Sequence, residues 1–577
     1  MNGSAFIKKV TGYLAELYPD HDKMLLKDQC LAAMGITEIV PLPEARKDYW
    51  GCDDVVLITY ADSITSDFRT PLETLKHFAD QHLFERISTI HILPFFPYSS
   101  DDGFSVIDYS VVNQSHGDWD QIEAIAENFK LMGDVVLNHC SARSLWFENF
   151  KEGKNPGKDF FITVKPDVAL NEVVRPRTTD LLRPTRTTLG EVFVWCTFSH
   201  DQVDLNFKNP VVLVEFLKII RRYLEKSISW FRLDAVGFLW KELGTSCINL
   251  PKTHLIIKLI RLLVENKSRD AIIITETNVP NLENLGYFGD QDEAHLIYNF
   301  SLPPLLINTL ITGDAMQLKR WMMTMPSARM GNAYFNFLAS HDGVGLRPVE
   351  GLLSTAELKN LTDTMVKFGG RLSYRATQSK TDQPYEINIA LWDALAGTDK
   401  KGKDNFQFDR FICAHAILLA LEGIPAIYIH SLLATKNDHS RVENTGNLRS
   451  INRHIWDHEE LELNLGNRDS HHSKVLERLL ELIQTRKQQK AFHPNAPMFT
   501  LNLGPGLLGF WRQSLDREQK IFAIFNISKE LRTLPMEILN LTIGQSWIDL
   551  IGGVDFVDRS STVELGPYHF LWIGNPK

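Results

Sequence analysis

A chain of 577 residues is too long for one compact core, so it should hold one large domain with smaller ones attached. With 44% hydrophobic and 23% charged residues it reads as globular, and a formal net charge of -10 argues against a nucleic-acid surface. No apolar run reaches the roughly 18 residues of a membrane helix, no secretory signal is visible at the N-terminus, and the six cysteines lack CxxC spacing, which points to a reducing cytoplasm with neither a zinc site nor a disulfide framework.

Residues 1–50 read as an amphipathic helical extension, with Ile7, Val10, Leu14 and Leu17 on one face that packs on the main domain. From Asp54 the pattern changes. Asp54–Asp62 is an apolar run without alternation, the mark of a strand covered on both faces. A helix over Pro71–Phe84 leads to a second buried strand in ISTIHILPFFPYSSDDGF, and a helix over Trp119–Met132 leads to a third at Asp134–His139. Five more such runs follow, at Ser229–Asp234, Ala271–Glu276, His295–Tyr298, Ala333–Ser340 and Pro425–Ile429. Strand–helix alternation implies a parallel sheet, and eight strands are the number of a closed barrel. The expected fold is therefore α/β: a (β/α)8 TIM barrel over 51–140, 206–342 and 406–490, with loop domains inserted after strands 3 and 7, at 141–205 and 343–405. Short alternating strands over 491–577 (LLGFWRQS, KIFAIFNIS, HFLWIG) read as a small C-terminal β domain.

In such barrels the active site lies at the C-terminal ends of the strands, and here those ends are polar. His139 follows strand three, Arg232 and Asp234 end strand four, Glu276 ends strand five, and His341 and Asp342 follow strand seven. Alternation along a strand puts Arg232 and Asp234 on one face, where the guanidinium favours the ionised aspartate. By itself this is the pattern of a structural ion pair. Three carboxylates on three strand ends, with two histidines and an arginine, suit glycosyl transfer. The first insertion carries the arginine-rich run Arg175–Arg186; it reads either as a solvated face or as an anion site over the barrel mouth.

The segments DVVLNH, FRLDAVG, ITETNVP, ASHDGVG, SSDDGF and NLRSINR, with FRLDAVGFLWKELGTSC and YNFSLPPLL beside them, resemble the sucrose phosphorylase branch of the α-amylase family, from about Val55 to the end. The N-terminal segment and the insertions look closer to its glucosylglycerol and glucosylglycerate phosphorylases. The resemblance implies a retaining phosphorylase that needs no metal or organic cofactor. Asp234 would be the nucleophile, Glu276 the general acid and base, and Asp342 the clamp on the sugar hydroxyls. Asp101 and Arg449 would hold the distal hydroxyls, His139, Arg232 and His341 those near the reacting carbon, and Phe104 would stack on the ring. Arg175 or Arg177 would receive phosphate, and Tyr385 lies in the acceptor loop.

Retention through a covalent ester asks for a nucleophile and an acid about 5 Å apart, with the acid protonated near neutral pH. The loop residues Arg347, Glu350 and Glu386 distinguish this chain from sucrose phosphorylase. A free carboxylate at Glu386 would accept hydrogen bonds from a neutral polyol and repel glycerate unless Arg347, Arg371 or Arg375 compensates, so the expected reaction is phosphorolysis of glucosylglycerol to α-glucose 1-phosphate and glycerol. The alternatives are glucosylglycerate, sucrose or sucrose 6′-phosphate as substrate, an α-glucosidase or transglucosidase with the same carboxylates, or a non-catalytic sugar-binding protein. The expected partners are the α-glucoside, inorganic phosphate and a glycerol-like acceptor, with no nucleic acid or membrane, and the chain would be a monomer or homodimer.

Overall fold

The computed structural model describes residues 2–41, 48–375, 383–539, 541, 546–556 and 560–575. Eight strands close a barrel: β1 (Val56–Thr59), β2 (Thr89–Ile92), β3 (Lys130–Val136), β4 (Ile228–Asp234), β5 (Ile272–Thr275), β6 (Leu296–Tyr298), β7 (Ala333–Phe337) and β8 (Ile424–Tyr428). Each pairs in parallel with its neighbours in chain order, and β1 closes against β8. Almost every residue of these strands is buried, which is why they read as apolar runs without alternation.

Several element boundaries lie within about three residues of the sequence expectation, and one differs by more. The helix expected over Trp119–Met132 stops at Ala126, and β3 starts at Lys130 and ends before His139. Ile122, Ile125, Phe129 and Met132 continue a helical spacing across that boundary, so periodicity hid the change of state. Gly133 marks it, because a Cβ there would lie 3.3 Å from Ile228 on the neighbouring strand. His139 instead opens a separate short strand, His139–Ser141, that pairs antiparallel with Gln202–Asp204. This pairing ties the exit of the first insertion back to the barrel mouth.

The N-terminal helices α1 (Gly3–Leu17) and α2 (Lys23–Met34) lie over the barrel helices Pro210–Glu225 and Pro251–Lys267. Phe6, Val10, Leu14 and Leu17 are buried while Ile7 is only half-buried, so the packed face begins one residue earlier than expected. The Tyr18 hydroxyl donates to the Phe207 carbonyl at 3.1 Å. The helix α3 (Pro71–His82) starts at a capping box, with Thr70 accepting from the Glu73 N–H and Glu73 accepting from that of Thr70.

Between β3 and β4 the chain builds a three-stranded sheet from Thr163–Val164, Leu182–Thr187 and Gly190–Trp195. Between β7 and β8 it builds another from Val344–Gly345, Arg371–Arg375 and Gln383–Asn388. Beyond the helix His471–Lys487, five antiparallel strands form a sheet that includes Leu507–Gln513, Lys520–Asn526 and Phe570–Gly574. Among the described residues no helix is long and apolar enough to cross a membrane.

Candidate active site

The strand ends and both insertions converge on one pocket. From the barrel come Asp234, Glu276, Asp342, Arg232, His341 and His139; Asp101 and Phe104 come from the loop after β2, and Arg449 from the turn Leu448–Asn452. The insertions add Arg177, Arg347, Tyr385 and Glu386. Two expected residues stay outside. Arg175 does not line the pocket, because the backbone turns at the buried Pro176 and only Arg177 reaches in. Glu350 is exposed and pairs with Arg375 at 2.6 Å, so neither it nor Arg375 is available there.

Arg232 organises the nucleophile's surroundings. Its Nη1 donates to Asp234 Oδ1 at 2.7 Å and also to Asp134, whose other oxygen contacts His91 Nε2 at 2.6 Å. All four groups are buried. The next residue, Ala235, sits in the left-handed region at φ 49°, a strained turn for a residue with a Cβ. Its N–H donates to Glu276 Oε2 at 3.0 Å, so the turn after the first carboxylate anchors the second.

The charges are balanced unevenly. Burial, opposed by Arg232, pushes the Asp234 carboxyl well above the usual range. Burial and the nearby Asp342 likewise raise Glu276, against Arg232. The expectation that Arg232 alone keeps Asp234 in its ordinary ionised range is therefore corrected: burial opposes the guanidinium and raises the carboxyl. Two buried carboxyls sharing one cation favour holding a proton between them. Asp342 goes the other way, since Arg449 overcomes its burial and holds it below the usual range. Burial lowers His341 and His139, so both imidazoles are neutral. The His341 ring stacks on Phe104, with centroids 4.8 Å apart.

Arg449 reaches Asp342 Oδ1 at 2.5 Å and Glu386 twice, Nη2 to Oε1 at 2.8 Å and Nε to Oε2 at 3.1 Å. Glu386 also accepts from the Gly343 N–H at 3.1 Å. A Cβ at Gly343 would lie 2.5 Å from the Glu386 side chain, so this approach requires glycine. Glu386 is thus buried and held by Arg449 and the Gly343 N–H, so it is not the free carboxylate on which the preference for a neutral polyol rested.

Sequence reasoning missed several lining residues. Gln202 donates to Asp101 Oδ2 at 3.2 Å and lies 3.2 Å from His139 Nε2. Asn278 donates to the Tyr385 hydroxyl at 3.3 Å, and Phe198, Phe238 and Phe300 supply apolar wall. Asn278 stands within the quoted ITETNVP segment, two residues after Glu276, and that spacing was the available signal; nothing local marks Gln202. Among the described residues no cluster of three or more histidine, cysteine or acidic side chains is arranged to hold a metal.

The profile described as alpha amylase, catalytic domain, matches residues 86–362. A glucosylglycerate phosphorylase of Escherichia coli is 40% identical over 574 residues, 98% of this chain and 100% of that protein. A glucosylglycerol phosphorylase of Marinobacter adhaerens is 30% identical over 450 residues, 76% of this chain and 88% of that protein. The sucrose 6F-phosphate phosphorylase crystal structure from Thermoanaerobacter thermosaccharolyticum superposes with a TM-score of 0.72 at 26% identity, covering 89% of this chain and 98% of that one. The expected order of glucosylglycerol ahead of glucosylglycerate is reversed by these relatives.

Proposed function

Because the chain belongs to the α-amylase family, in the branch that holds the glucosylglycerate and sucrose phosphorylases, we propose that it converts glucosylglycerate and phosphate to α-glucose 1-phosphate and glycerate. The observation that carries this reading is the pocket itself: three carboxylates from three strand ends converge in it, while Glu386 of the acceptor loop is engaged by Arg449. A carboxylated leaving group therefore meets no free carboxylate at Glu386.

The reaction runs in two displacements. Asp234 attacks the anomeric carbon as Glu276 gives its proton to the departing glycerate oxygen, and a β-glucosyl ester forms on Asp234. Attack requires the shared proton on Glu276; burial raises both carboxyls, and the 2.7 Å contact of Asp234 with Arg232, against 3.8 Å for Glu276, favours that arrangement. Asp342, kept anionic by Arg449, stabilises the positive charge that develops on the sugar. A phosphate oxygen then attacks the same carbon, the ester bond to Asp234 breaks, and the phosphate proton returns to Glu276. Two inversions give an α product.

The test is a substrate panel of glucosylglycerate, glucosylglycerol, sucrose and sucrose 6′-phosphate, read as α-glucose 1-phosphate released with and without phosphate. Glucosylglycerate is expected to react fastest and to depend on phosphate. Equal release of free glucose in phosphate-free buffer would identify a hydrolase instead.

A further inference from the structure

The loop after β2 faces two ways. Asp101 lines the pocket, whereas its neighbour Asp102 turns to the far side, where Tyr60, Asp62, His116, Arg441 and Arg453 line a small polar cavity with it. Both aspartates sit in the left-handed region, at φ 54° and 46°, and Gly103 follows at φ 109°. Side chains of L-residues rarely adopt such angles, and two in succession persist only where the surroundings impose them. Gly103 supplies one restraint, because a Cβ there would lie 2.5 Å from the Pro94 carbonyl oxygen. Arg453 supplies another. Its Nη1 donates to Asp102 Oδ2 at 2.5 Å, and its Nε donates to the His341 carbonyl at 2.8 Å. The Arg453 side chain is buried, with its guanidinium 5.6 Å from the Tyr60 ring centroid.

One guanidinium thus grips two loops of the site from behind. The carbonyl it holds belongs to the residue before Asp342, and the His341 ring stacks on Phe104 of the other loop. Neither Arg453 nor Asp102 lines the pocket. Resting on the glucosyl-transfer reading above, we infer that Arg453 and Asp102 are positioning residues: their pair holds the left-handed loop so that the Asp101 carboxylate meets the distal hydroxyls of the glucosyl group, in register with Asp342. Contacts to those hydroxyls lower the barrier to the extent that they tighten in the transition state. A loosened loop therefore costs rate at a carbon that the pair never reaches.

Two donors test this with the full chain: α-glucosyl fluoride and its 4-deoxy analogue, which lacks the hydroxyl across the ring from the reacting carbon. Fluoride release with phosphate as acceptor reports ester formation, since the bond to Asp234 forms as the C–F bond breaks. In the unaltered enzyme the analogue should react about tenfold or more slowly in kcat/KM, the loss of a hydrogen bond to a charged group. Asp102→Asn suits the test because the Asp102 side chain is 29% exposed, so the variant should fold. It should lower kcat/KM for α-glucosyl fluoride about tenfold, yet change that for the 4-deoxy donor less than about twofold, because the contact being positioned is already missing. Arg453→Lys keeps the charge but not the two-armed grip and should show an intermediate loss with the same donor selectivity. Equal losses with both donors would make the pair merely structural, and an unchanged kcat/KM for α-glucosyl fluoride would remove its role; either overturns the inference. Failure of glucosylglycerate as a donor would instead sink the proposed substrate alone, since both fluorides react without glycerate. If the unaltered enzyme released fluoride from neither donor, the glucosyl-transfer reading would fall and this inference with it.

Discussion

On the barrel side of the pocket Arg232 faces three carboxylates and Arg449 two, whereas Arg177 and Arg347 on the insertions face none among the described residues. The difference separates two tasks. Paired and hydrogen-bonded guanidinium groups fix the carboxylates that act on every turnover, in one geometry. Unpaired ones can complete their coordination with an incoming anion, which suits the wall where phosphate is expected. The same side chain thus serves as scaffold or as receptor according to its acidic neighbours.

The barrel half breaks most severely at Asp234. Asp234→Asn should lower kcat on the order of 10⁴-fold or more with phosphate, glycerate or glycerol alike, since no acceptor can be served without the ester. Equal losses across all acceptors in steady-state assays would sharpen the comparison, and a loss confined to anions would break it.

Glu276→Gln comes next. It should cost roughly 10²- to 10⁴-fold with glucosylglycerate, whose leaving group needs a proton, and far less with α-glucosyl fluoride, whose leaving group needs none. Mass spectrometry after the fluoride reaction should find one hexose on Asp234. Burial and Asp342 raise the Glu276 carboxyl, so the acid form persists above the ordinary glutamate range, and kcat/KM falls only as pH rises through the raised value. That alkaline limb should appear with glucosylglycerate and vanish with the fluoride donor.

How far all this was legible in the sequence follows from the same division. Asp234, Glu276 and Asp342 stand at the ends of strands buried on both faces, so a polar residue after an apolar run located them. The roles of Glu386 and Glu350 were not legible. Adjacent loop wording made both look like acceptor ligands, yet one is closed off by Arg449, which lies 63 residues away, and the other turns out to Arg375. Gln202 reaches Asp101 only because its strand returns to pair with His139–Ser141. Asp134 looked like an ordinary strand residue, although it carries the far side of Arg232. Contacts between distant segments are set by tertiary closure, which local pattern does not encode.

The paired and unpaired states also predict different stability. Glu386→Ala would leave Arg449 with one partner in a buried wall and should cost about 3 kcal/mol in unfolding free energy, visible as a lowered Tm. Arg347→Gln breaks no ion pair among the described residues and should leave Tm nearly unchanged.

The smallest effect should come from Glu350→Ala. Its partner Arg375 is on the same insertion, and at 2.6 Å the pair is well formed, but the Glu350 side chain is 44% exposed and outside the pocket. An exposed pair of this kind contributes under about 1 kcal/mol, so Tm should barely move. KM for phosphate, glycerate and glycerol should all stay within about twofold, because the separation that matters runs between paired and unpaired arginines inside the pocket, and Arg375 is neither. A selective loss of glycerate use in this variant would mean that Arg375 and Glu350 swing inward when the pocket fills, and the receptor half would then extend beyond Arg177 and Arg347.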